Sequence, residues 1–146
     1  MKILVPVEQE SDAKLIIDFV ANYRWPPQTK IKIFHAIDPA HHSADEREIQ
    51  VQSFLVRLQK KLQSLIRVAD VTHMILCDWP VHGIMQVVEA WKADMIVMGY
   101  GTRGYDPASV SKSVASQASC SVVIIRPPTH EAALPNEEEL EPVFTG

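Results

Sequence analysis

A chain of 146 residues is long enough to bury one core of its own without disulfides or metals. Apolar residues make up 47% and charged residues 22%, a globular composition, and no apolar run nears the roughly 18 residues that a membrane span needs. The net charge of −4 is unevenly spread: residues 127–146 hold five glutamates (Glu131, Glu137, Glu138, Glu139, Glu141) and no Lys or Arg, leaving 14 basic and 13 acidic residues in 1–126.

A body so close to neutral offers no broad basic face for nucleic acid, and the acidity belongs to the tail. The division predicts a domain over 1–126 and an acidic, Pro-containing tail over 127–146, flexible or weakly docked. The opening Met1-Lys2-Ile3-Leu4-Val5 meets Pro6 and then Glu8 and Glu10, too short an apolar stretch for an export signal. A cytoplasmic location with no membrane partner is therefore expected. Cys77 and Cys120 lie beside strand-like runs and read as buried, unbridged thiols.

In chain order, residues 2–7 form a short apolar run suited to a strand buried on both faces, ending at Pro6, which has no N–H for a ladder. Ser11 and Asp12 offer an N-cap, and Leu15, Ile16, Phe19, Val20 and Tyr23 make one helical face, stopped by Pro26-Pro27. A second strand is predicted over 31–37. A long helix from about Ser43 or Asp45 follows, with Val51, Phe54, Leu55, Leu58, Leu62, Leu65 and Ile66 as its buried stripe. Residues 71–77 read as a third strand. After Trp79-Pro80 a helix should turn Ile84, Val87, Val88 and Trp91 inward. Met95–Met98 is a fourth strand closed by Gly99. Asp106-Pro107 suits a helix start, with Val110, Val114 and Ala118 facing in, and 121–125 is the last strand.

Strand and helix alternate four times before the final strand, which predicts a parallel sheet with helices on both faces. Ligand sites in such sheets lie at the carboxyl ends of the strands, near the topological switch point. That directs attention to Pro6-Val7-Glu8, Ile37-Asp38, Cys77-Asp78 and the stretch from Gly99 to Ser109.

Three segments carry a resemblance. Residues 2–8, Lys-Ile-Leu-Val-Pro-Val-Glu, resemble the opening strand of universal stress proteins, which usually ends in Asp where this chain has Glu8. Residues 84–99, from Ile-Met-Gln-Val-Val-Glu-Ala-Trp to Met-Ile-Val-Met-Gly, are similar to that family's third helix and fourth strand. Residues 109–126, from Ser-Val-Ser-Lys-Ser to Val-Val-Ile-Ile-Arg, resemble its last helix and strand. The ordered set spans nearly all of 1–126.

The resemblance implies a Rossmann-like, five-stranded parallel sheet of the adenine nucleotide alpha hydrolase-like type, a homodimer through strand 121–125, and a regulatory role in the stress response. It also implies an adenine nucleotide, AMP or ATP with Mg²⁺, in those members that keep the site. The residues it points to are Pro6, Val7 and Glu8 after the first strand and Ile37 after the second. In the loop after the fourth strand it points to Gly99, Gly101, Arg103, Gly104 and Ser109. Glycines there would let backbone N–H groups approach phosphate, helped by the start of the following helix.

Nucleotide-binding members carry Gly, two residues, Gly, nine residues, then Gly followed by Ser or Thr. Gly101-Thr-Arg-Gly104 has the first spacing, but Val114 stands where the next glycine belongs. Aligned from Cys120, Ala108-Ser109 takes the place of the Gly-Ser pair, nine positions after Gly99 instead of thirteen. Asp106 at a helix start would occupy donors that a phosphate wants, with Arg103 and Lys112 offsetting its charge.

Three readings stay open: a nucleotide-responsive binding module, a nucleotide-free dimeric scaffold acting through unidentified protein partners, and a slow nucleotide hydrolase. The chain lacks a Gly-x-Ser-x-Gly elbow and a complete phosphate-loop signature, so no catalytic residue is assigned. Ser109, Ser111 and Ser113 read as capping and packing residues. Adjacent His41-His42, with His35 and Asp38 upstream, match no metal-ligand spacing.

Overall fold

The apolar runs and amphipathic stretches fold as β1 (Lys2–Pro6), α1 (Glu10–Asn22), β2 (Thr29–Ile37), α2 (Ala44–Leu65), β3 (Ala69–Cys77), α3 (Pro80–Trp91), β4 (Met95–Gly99), α4 (Ser109–Gln117) and β5 (Ser121–Ile125). The computed structural model describes residues 1–8, 10–40, 44–67, 69–100 and 109–127, the side chains of Ser11, Ala44, Asp45 and Ser109 aside. All five strands are parallel, in the order β3-β2-β1-β4-β5.

That order explains the layers. The chain first moves outward from β1 through β2 to β3, with α1 and α2 as crossovers. It then returns through α3 to β4 on the other side of β1. Because each crossover is right-handed, reversing direction across the sheet sends α3 and α4 to the opposite face. Alternation along each strand supplies both cores. Ile3, Val5 and Val7 join Ile31, Ile33 and Val97 beneath Ile16, Ile17 and Val20 of α1 and Leu55, Leu58 and Leu62 of α2. Leu4, Phe34, Ile96 and Met98 face the other way, beneath Ile84, Val87 and Val88 of α3 and Val114 of α4. Strands clad on both faces have no polar positions to alternate, hence the continuous apolar runs of β1 and β4.

Several local expectations are corrected. Helix α1 begins at Glu10, so Asp12 is not a cap residue but lies in the first turn, almost fully buried. Tyr23 falls past the end of α1 and is half exposed, its ring 4.4 Å from that of Trp25. Ile17, missing from the expected stripe, is buried in its place. Leu65, the last residue of α2, is exposed at 53%, because the stripe has turned toward Leu62 and Ile66 by that point. Cys77 is exposed at the end of the edge strand β3 and Cys120 is half-buried, so the expected burial of both thiols fails; both are free. Burial raises the Cys120 pKa, with Asp94 adding to the effect. Strands β2 and β3 each start two residues earlier than predicted, extending one ladder from Thr29↔Ala69 to Ile37↔Cys77. Asp106-Pro107 and His41-His42 lie outside the described residues.

Candidate functional site

The site begins with an unequal pair of ladders. On one side β1 runs beside β2 from Lys2↔Lys30 to Pro6↔Phe34, and the Val7 N–H prolongs it by donating to the Phe34 carbonyl at 2.8 Å. On the other side only Ile3↔Met95 and Leu4↔Ile96 pair β1 with β4. Beyond Leu4 the strand stays with β2 and parts from β4. The separation opens a small crevice at the carboxyl ends of β1 and β4, where the strand order reverses.

His35 fixes the β1 side of this opening. Its buried ring donates Nδ1–H to the Val7 carbonyl at 2.7 Å, so both backbone polar groups of Val7 are tied to β2. Burial holds the His35 pKa below its ordinary value; the bond to Val7 opposes this and the Arg47 charge reinforces it. Residue 8 is thereby presented at the mouth on an anchored strand end.

Pro6 and Glu8 line the crevice from β1, Gly99 and Tyr100 from β4. The first turn of α1 contributes Asp12 and the first turn of α4 contributes Val110 and Ser111. Met98, Ile84 and Ile16 supply apolar walls. Ser111 is buried and donates its hydroxyl to the Tyr100 carbonyl at 3.3 Å, which ties α4 to the end of β4. The Tyr100 N–H donates to the Ile125 carbonyl at 2.9 Å, and the Arg126 guanidinium stacks over the Tyr100 ring at 4.2 Å. Among the described residues one cation therefore stands beside a lining residue, while two carboxylates, Glu8 and Asp12, belong to the lining itself.

Of the residues expected from sequence, Pro6, Glu8 and Gly99 meet in this crevice. Val7 is buried beneath α1 and α2, and its backbone N–H and carbonyl are both bonded to β2. Ile37 does not line it, and its carbonyl accepts from the Asp78 N–H at 3.0 Å, toward β3. Ser109 begins α4, with its side chain outside the description. Gly101, Arg103 and Gly104 lie outside the described residues. Asp12, Tyr100 and Ser111 were missed. For Asp12 a signal existed: it sits four residues before Ile16, an acid on the buried stripe of α1. Tyr100 and Ser111 belong to no motif.

Cys77 and Asp78 lie apart from the crevice lining. Asp78 instead organises the start of α3, accepting from the Trp79 N–H and from His82 Nδ1, each at 2.7 Å. The His82 hydrogen bond holds its carboxyl below the usual range. His73 is held in β3 by Gln59 and by Gln52. Among the described residues no group of three His, Cys, Asp or Glu could hold a metal ion, and no helix is long and apolar enough to cross a membrane.

The family model described as the universal stress protein family matches residues 1–126. No curated protein matches the chain in sequence. Among solved structures, a universal stress protein from Archaeoglobus fulgidus is similar with a TM-score of 0.69 and 20% identity, over 86% of this chain and 98% of its own. A universal stress protein from the same organism in complex with dAMP gives a TM-score of 0.67 and 22% identity, over 86% and 97% of the two chains. A universal stress protein family protein from Arabidopsis thaliana with AMP bound gives 0.65 and 19%, over 94% and 97%. At such identities the structural likeness carries the fold. The match of the family model runs from the first residue to just past β5, and on it the chain belongs to the universal stress protein family.

Proposed function

We infer that this protein is a cytoplasmic stress-response binding protein whose switch-point crevice takes an adenine nucleotide, AMP in preference to ATP. The observation that carries this reading is the early parting of β1 from β4, which leaves a crevice onto which the first turn of α4 opens. A helix start supplies N–H donors and partial positive charge for a phosphate. The related structures with dAMP and AMP support the same choice of ligand. Preference for AMP follows from charge. Glu8 and Asp12 line the crevice, and the like-charge cost of placing a triphosphate beside them exceeds that of a monophosphate, so ATP needs Mg²⁺ to enter.

The action proposed is binding, not turnover. No histidine, cysteine or lysine is among the described residues lining the crevice, and the Ser111 hydroxyl is directed to a backbone carbonyl. The same two carboxylates favour a second reading, a nucleotide-free scaffold acting through protein partners. In either case a homodimer through β5 is proposed, since that strand lies at an edge of the sheet.

Gly99 provides the test. A Cβ built there would meet Asp12 and Ile16 no closer than 3.7 Å, ordinary contact, so the fold alone has room for alanine. Calorimetric titration should show AMP binding to the wild type, and binding of ATP only with Mg²⁺. Gly99→Ala should lose about tenfold in AMP affinity, through lost backbone approach, at an unchanged melting temperature. A wild type indifferent to millimolar AMP and Mg-ATP would sink the nucleotide reading and leave the scaffold.

A further inference from the structure

The crevice leaves unexplained a second concavity, an open groove between α1 and α2. Its apolar part is Ile17, Phe54 and Leu58, and its rim is Lys14, Arg57 and Lys61. Among the described residues the one acid on the rim, Glu10, meets Arg57 at 3.2 Å, but both side chains are largely exposed, at 74% and 69%. Such a pair is weak and readily exchanged for other carboxylates. The rim thus carries three cations against one anion around an apolar floor. An acidic peptide with interspersed apolar residues is the matching ligand.

This chain contains such a peptide. Residues 128–146 include Glu131, Glu137, Glu138, Glu139 and Glu141 with no Lys or Arg, interleaved with Leu134, Leu140, Val143 and Phe144. We propose that the acidic C-terminal segment docks in the α1–α2 groove of its own chain, its glutamates on Lys14, Arg57 and Lys61 and its apolar residues over Phe54 and Leu58.

Reach permits it. The chain leaves β5 at the carboxyl end of the parallel sheet, the end at which α1 begins. From β5 to β1 is two strand spacings, about 10 Å, with a further ~10 Å up to the helix layer. Residues 128–146 extend to about 60 Å. Helix α1 contacts β4, so it lies on the β5 side of α2, and the segment reaches the groove across that helix alone. A second apolar groove, floored by Met74, Leu76 and Val87, fits less well. It lies at the far β3 edge on the opposite face, and its cation, Lys32, already stands 4.4 Å over the Trp91 ring.

The full-length protein tests this directly. Equal parts of ¹⁴N- and ¹⁵N-labelled protein, unfolded and refolded together so that the copies mix, are treated with a carbodiimide, which joins lysine amines to touching carboxylates without a spacer. At about 0.05 M salt, peptides joining Lys14 or Lys61 to residues 137–141 should appear within single-isotope copies, and should fade by about 0.5 M salt as screening shortens. Mixed-isotope joins as abundant as single-isotope ones, the ratio that random pairing of copies gives, would place the segment in a second copy. Joins spread over all exposed lysines would remove any preferred site. An unjoined segment would leave the groove to a separate protein partner. Each of these three overturns the proposal. Independently, a Lys14→Glu, Lys61→Glu double variant should let a glutamyl endopeptidase trim the segment about tenfold faster than in the wild type. Both positions are exposed, and far-UV circular dichroism checks that the fold persists. An unchanged rate would also overturn it.

Discussion

His35 shows how one side chain couples the strand end beneath the site to pH. Its ring is buried and its Nδ1–H is committed to the Val7 carbonyl, so a second proton on the ring would add a charge with little solvent and with Arg47 nearby. The folded pKa therefore lies below the unfolded value of about 6.5. Above that value the ring is neutral in both states and its full contribution to stability is present. As pH falls through about 6.5 the unfolded chain takes the proton first, and stability declines until the folded pKa is passed. The urea midpoint should thus fall between pH 7.5 and pH 5.5. In His35→Asn, whose side-chain amide can still donate to Val7 but does not titrate, the fall should be smaller. Parallel declines in the two proteins would show that another group governs the acid limb.

At the scale of elements, the packing of α3 on β2 depends on a missing side chain. Gly83 is buried against the sheet, and a Cβ there would stand 3.3 Å from Phe34 Cζ, with Phe34 itself only 1% exposed. Alanine in a helix interior gains about 1 kcal/mol over glycine by propensity, whereas overpacking a closed core costs about 1–3 kcal/mol. Gly83→Ala should therefore lose about 1 kcal/mol in chemical denaturation, against the usual sign for this substitution. A more stable variant would mean that Phe34 yields. Elements were largely legible before the structure because strands clad on both faces must be continuously apolar, and β1, β4 and β5 fall where those runs are. Helix ends were less legible. Leu65 continues the helical period, but at that turn the buried face has passed to Leu62 and Ile66, and Asp12 looked like a cap because capping acids and buried first-turn acids share one composition. The crevice was legible only as a location. Its opening depends on where the β1–β4 ladder stops, a matter of pairing between strands some 90 residues apart in sequence, which no local pattern records.

For the whole molecule, the open question is what covers β5. Strand β5 lies at one edge of the sheet, and its backbone groups divide between two directions. The Tyr100 N–H donates to the Ile125 carbonyl, so Ile125, and with it Val123 and Ser121, turn their backbone toward β4. Val122 and Ile124 must then point N–H and C=O outward, as a row unpaired among the described residues that a second β5 can complete. Replacing Val123 by lysine is a poor test, because Val123 packs against the core beneath α1 and α2 and the charge would disturb the fold itself. Val122→Pro is cleaner. It deletes an outward donor, leaves the β4 ladder whole, and proline is tolerated on an edge whose N–H would face solvent. Light scattering at micromolar concentration should find the wild type dimeric and Val122→Pro monomeric, with unchanged circular dichroism and about 1 kcal/mol lost from reduced packing on the α3–α4 side. A variant that stays dimeric would move the interface off β5. A monomeric wild type would leave the edge without a second copy to cover it, and the scaffold reading would then need a different partner for the same row of donors and acceptors.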